Sequence, residues 1–81
     1  MTLDEFVNNN LMGKHLESIG DVEGAINLYE KNVAFEFDGS HPYTRLCIIY
    51  RKRKQYDEEI RVANAAVKNL CQNSKKPYFR E

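Results

Sequence analysis

The chain has 81 residues, with twelve basic and twelve acidic side chains, so it carries no net charge. That length gives one small domain whose core is marginal on its own, and a hydrophobic content of 42% is ordinary for a globular chain. No apolar run approaches the ~20 residues that span a bilayer, and Met1-Thr2-Leu3-Asp4-Glu5 lacks a basic opening, so neither a membrane helix nor a signal peptide is expected.

Thr2-Leu3-Asp4-Glu5 has the form of a capping box, with Thr2 at the N-cap and Glu5 reaching back. A first helix is expected from about Leu3 to Ile19. Met12, Leu16 and Ile19 are placed to face a second helix, while Val7 and Leu11 point elsewhere. Gly13 costs about 1 kcal/mol in a helix interior, and such a glycine marks close helix–helix approach. Gly20 suits a left-handed C-terminal turn and Asp21 suits the next N-cap. A second helix follows to about Glu36, with Ala25, Ile26, Leu28, Tyr29 and Val33 at helical spacing.

Asp38-Gly39 is a turn signal, and Ser40-His41-Pro42 opens a third helix with Ser40 as cap and proline in the first turn. This helix, His41 to Lys54, has a core stripe of Tyr43, Leu46, Cys47 and Tyr50. A fourth helix, Asp57 to Gln72, is expected to bury Tyr56, Ile60, Ala63, Val67 and Leu70 before Asn73-Ser74-Lys75-Lys76-Pro77 breaks it. Cys47 and Cys71 have no metal or redox spacing and read as free thiols in a reducing cytoplasm, a disulfide between them being the alternative.

Shifting the chain by 34 residues lays like on like: Met12 on Leu46, Gly13 on Cys47, Leu16 on Tyr50, Val22-Glu23 on Tyr56-Asp57, Ile26 on Ile60, Val33 on Val67. A 34-residue period of paired helices is the tetratricopeptide period. Gly20-Asp21-Val22-Glu23-Gly24-Ala25-Ile26-Asn27-Leu28-Tyr29-Glu30-Lys31 resembles the turn and second helix of such a repeat. Tyr43, Leu46, Cys47, Tyr50 and Tyr56 resemble the first-helix signature and turn of another. The resemblance implies an all-α fold of four antiparallel helices in two tandem helix-turn-helix repeats, residues 6–39 and 40–73, in one domain with a C-terminal stub at 74–81.

The chain departs from that pattern at three places. Glu59 stands where the family has a small residue, as Ala25 is in repeat one, and is expected to pair with Arg45, Arg51 or a tyrosine hydroxyl, since a buried unpaired charge is costly. Asn9 replaces an aromatic and Asn32 a small residue, which implies irregular packing in repeat one or a shifted helix. Pro77-Tyr78-Phe79-Arg80 echoes Pro42-Tyr43-Thr44-Arg45 at a distance of 35 residues and reads as the start of a third repeat. Either this stub caps the fourth helix with Tyr78 and Phe79, or the two units gain a further helix from a partner or a second copy.

By the resemblance, the first helix of each pair lines a concave face. The residues expected there, as candidate partner-binding residues, are Val7, Asn10, Leu11 and Lys14 from repeat one and His41, Thr44, Arg45, Ile48 and Lys52 from repeat two. Helical spacing independently puts His41, Arg45, Ile48 and Lys52 on one face distinct from the core stripe. An apolar and basic surface of this kind suits a peptide with an acidic group and an aliphatic anchor, because arginine grips a carboxylate with two parallel hydrogen bonds. The alternative is a homodimer through Val7, Leu11 and Ile48, acting as an adaptor or inhibitor that covers a partner protein.

Residues 1–40 hold two lysines against eight acidic residues, whereas 41–81 hold ten basic against four acidic. That split suggests association between copies or with an acidic partner. Arg51-Lys52-Arg53-Lys54 invites a nucleic-acid reading, but the four fan around the helix, suit its C-terminal dipole and sit in a neutral chain, so nucleic acid is not expected. His15 and His41 have no acid or nucleophile at a recognisable spacing, and no phosphate loop or metal motif is present, so no enzyme, cofactor or metal is expected.

Overall fold

The computed structural model describes residues 2–37 and 39–73, with side chains described through Asn69. Its elements are α1 (Leu3–Ser18), α2 (Val22–Ala34), α3 (His41–Lys52) and α4 (Tyr56–Asn73). The described residues are helical with no strand, and none of their helices is long and apolar enough to cross a membrane. The helices pack in chain order, α1 on α2, α2 on α3 and α3 on α4.

The first hairpin closes as the local chemistry dictates. Thr2 Oγ1 accepts from the Glu5 amide at 3.2 Å and Glu5 Oε1 accepts from the Thr2 amide at 2.9 Å, a reciprocal cap. Gly20 adopts φ +89°, and Asp21 Oδ1 accepts from the Gly24 amide at 3.0 Å. Phe6 then meets Asn32, Gly13 meets Tyr29 and Leu16 meets Gly24, so α1 and α2 run antiparallel. A Cβ on Gly13 would lie 2.5 Å from Tyr29 Cε1, which is why only glycine fits at this crossing.

The two hairpin turns share one backbone pattern. At the end of α1, the Asp21 amide donates to Leu16 at 2.8 Å and Gly20 to Glu17 at 3.1 Å. At the end of α3, the Gln55 amide donates to Tyr50 at 2.8 Å and Lys54 to Arg51 at 3.0 Å, each residue 34 positions on. Lys54 takes the left-handed φ of +60° that Gly20 takes at its turn. These are helix ends in which a left-handed residue lets free carbonyls find amides. α2 ends likewise at Glu36, φ +59°, so the chain reverses earlier than Asp38-Gly39 would place it, and α2 stops at Ala34. Ser40 sits at the α3 N-cap but makes no side-chain capping bond, contrary to its expected role.

The core consists of Ala25, Ile26, Tyr29 and Val33 from α2, Tyr43, Leu46, Ile49 and Tyr50 from α3, and Val62 from α4. Leu16 packs at its edge, but Met12 and Ile19 are 51% and 62% exposed, so α1 does not present the stripe expected of it. Its inner face is Phe6, Asn9, Asn10 and Gly13. Wholly buried Asn32 on α2 donates to the Phe6 carbonyl at 3.0 Å and Asn10 Oδ1 at 2.9 Å, and accepts from Asn9 at 3.0 Å. Buried polar groups are tolerated when so partnered. The irregularity expected of repeat one is therefore a polar lock between α1 and α2.

α4 also turns a different face inward. Val62 and Asn69 are buried and Ala65 and Ala66 partly so, while Tyr56, Ile60, Ala63 and Val67, expected in the core, are exposed. Both stripes are apolar at helical spacing. Among the described residues one stripe has a helix to pack against, because α3 lies on the side of Glu59, Val62 and Asn69. The expected contributions of Leu70, Cys71, Tyr78 and Phe79 lie outside the described residues. Cys47 is a half-buried free thiol, its pKa pushed up by burial.

Candidate functional site

Among the described residues, four ion pairs tie the acidic first hairpin to the basic second. Arg45 Nη2 binds Glu17 Oε1 at 2.5 Å, Arg53 binds Glu23, Arg61 Nη2 binds Glu30 Oε2 at 2.5 Å, and Lys68 approaches Glu36 at 3.9 Å. The uneven charge along the sequence is consumed inside the fold to that extent. Of the run Arg51-Lys52-Arg53-Lys54, Arg51 holds Glu59 at 2.6 Å and Arg53 holds Glu23. The Arg51 contact is one of those expected for Glu59.

The nine residues expected on one face fall into separate places. Lys14, His41 and Arg45 line an open groove between α1 and α3 with Glu17 and Ser18, a space of about 550 Å³. Thr44 and Ile48 instead line a groove between α3 and α4, with Tyr43, Cys47, Arg51, Ala63 and Ala66. Val7 and Leu11 stand exposed on α1 and line neither groove. Asn10 accepts a hydrogen bond from Asn32 and so serves the polar lock. Lys52 is exposed at the end of α3, without an ion pair among the described residues.

Within the α1–α3 groove, Glu17 is the hub. It accepts from Arg45 Nε at 3.2 Å and Nη2 at 2.5 Å, and from the Tyr29 hydroxyl at 2.6 Å. The Arg45 hydrogen bonds hold the Glu17 carboxyl below its ordinary range despite partial burial. Burial, then the bond to Glu17, pushes the Tyr29 phenol up. His41, at the first turn of α3, sets its ring edge-on to Tyr29 at 5.5 Å. Burial first, then the positive charges of Lys14 and Arg45, lower the His41 pKa and favour neutral imidazole. Arg45 is thus not the free carboxylate grip that its position in the sequence suggests. Two of its N–H donors are committed to Glu17, leaving three. Lys14 has no ion pair among the described residues.

No protein-family model matches the chain, and no curated protein or solved structure matches it. Among the described residues there is no group of three or more His, Cys, Asp or Glu side chains placed to hold a metal. The groove sets two cations, Lys14 and Arg45, beside the Glu17 carboxylate and the His41 imidazole.

Proposed function

We propose that this chain is a non-enzymatic protein-interaction module of tetratricopeptide type, working in the cytoplasm, which takes a polypeptide segment bearing a carboxylate in the α1–α3 groove. The 34-residue recurrence of the turn hydrogen bonds supports the repeat reading. The observation that carries the binding reading is the placing in one groove of Lys14, without an ion pair among the described residues, and Arg45, whose guanidinium is oriented by Glu17 and keeps three further N–H donors. A carboxylate bound there gains charge-assisted hydrogen bonds without a new ordering cost for the arginine. Lys52 and the exposed Val7 and Leu11 are too dispersed to belong to that one contact.

The test is an amide NMR titration of the labelled chain with a short leucine–aspartate peptide carrying a free terminal carboxylate, alongside its amidated, aspartate-free twin. The reading expects shifts centred on Lys14, Ser18 and His41 for the acid alone, abolished by Lys14→Glu. Equal responses to both peptides, or none at these residues, overturn it.

A further inference from the structure

α4 carries two apolar stripes, and no described helix covers the second. Tyr56, Ile60 and Val67 are 53%, 58% and 62% exposed, and Ala63 between them is exposed too. In the 34-residue register these four match Val22, Ile26, Tyr29 and Val33 of α2, where the last three are buried with α3 in the core. α4 therefore presents a face of helix-packing composition that no described helix covers. Beside it runs the α3–α4 groove, whose lining includes Thr44, Cys47, Ile48 and Ala66.

Three features of this face select its occupant. Its residues follow a four-three-four spacing, that of a seam between two supercoiled helices. Its centre, Ala63, is small, which suits a crossing of two helices at close range. Its charges are arranged for an antiparallel mate: among the described residues Asp57 near the start of α4 has no ion pair, and Lys68 toward the other end has the 3.9 Å contact to Glu36 and no other. On a helical wheel Asp57 and Lys68 fall on the same flank of the stripe. A two-fold axis near Ala63 sets Asp57 of each copy against Lys68 of the other, and opposes the helix dipoles. Parallel pairing would put this flank of the two copies on opposite sides of the seam and form no Asp57–Lys68 pair. A head-to-tail stack that put α1 of the next copy on α4 in the 34-residue register would set Ile19 against Asp57 and gain no ion pair.

We propose that two copies of this chain associate through α4, antiparallel, with Tyr56, Ile60, Ala63 and Val67 as the seam and Asp57–Lys68 pairs at both ends. The interface closes on itself as two-fold dimers do. It shares no residue with the α1–α3 groove, so either reading stands or falls without the other.

Sedimentation of the full chain over a wide concentration range tests it. The chain should form a concentration-dependent dimer and nothing larger. Ile60→Asp, at an exposed position that leaves circular dichroism unchanged, should make it monomeric. Asp57→Lys and Lys68→Glu should each raise the dimer dissociation constant by about tenfold or more, and the double reversal should recover most of that loss. A chain that stays monomeric, a dimer indifferent to Ile60→Asp, growth beyond the dimer, or a double reversal no better than the singles overturns the proposal.

Discussion

Arg45 on α3 binds Glu17 on α1 through two of its nitrogens, at 3.2 and 2.5 Å, and so joins the two hairpins across the groove they form. The contact spans 28 residues of sequence and brings Tyr29 into the same network. Coupling a surface groove to the core in this way means that changes at the groove report on stability as well as binding.

Glu17→Gln should cost about 1–3 kcal/mol, because it weakens charge-assisted bonds to both Arg45 and Tyr29 in a half-buried setting. Urea denaturation with an unchanged slope checks it. Arg45→Ala combined with Glu17→Gln should cost less than the two single losses together, the mark of one shared interaction.

Gly13→Ala should destabilise the fold by about 1–3 kcal/mol, even though alanine favours helix by about 1 kcal/mol. The added methyl would meet the Tyr29 ring at 2.5 Å, and that ring is fully buried with its hydroxyl held by Glu17. Thermal unfolding of the variant gives the sign directly; a rise in Tm would mean that the ring can move aside.

Stability should fall on mild acidification. The folded chain lowers the His41 pKa from its ordinary 6.5, so between these values the unfolded chain takes up a proton that the native one refuses. This contribution is intact above about pH 6.5 and is lost as pH drops through the folded value. Glu17, held below its ordinary 4.5, adds its own loss only below that pH. Urea midpoints measured at neutral and mildly acidic pH should decline for the native chain, and the part of the decline above pH 5 should shrink in His41→Gln.

Lys54→Gly should stabilise the chain by about 0.5–1 kcal/mol, since φ +60° strains a residue with a Cβ and not glycine. Gly20→Ala should lose about 1 kcal/mol at the matching turn. A melting-temperature shift of opposite sign in the two variants checks both.

The helices were legible in the sequence because capping and left-handed turns are local chemistry: Thr2, Glu5, Gly20 and Asp21 act within a few residues of where they stand. Gly13 was legible as a close approach, though not against which side chain. The interior of the first hairpin was harder to read, because Asn9 and Asn32 look like defects until the 23-residue separation between them is closed by folding. α4 shows a different limit. Its two stripes have equal claim by periodicity, and which one is covered depends on what lies beside the helix. Counting charges by halves could not tell pairing within a chain from pairing between chains, so Arg45 was expected to meet Glu59 or a ligand when Glu17 already held it. The expected binding face fared worst, since neighbours on a wheel such as Arg45 and Ile48 are drained into separate grooves by the helices on either side.

The matching turns at Gly20 and Lys54 have a consequence for lengthening this protein. A stretch that starts just after one such turn and ends at the next has interchangeable junctions, because both seams close through the same amide-to-carbonyl geometry. Splicing an additional copy of residues 21–54 after Lys54 introduces no novel loop at either join. Such an insertion would reuse a helix ending that the backbone already contains.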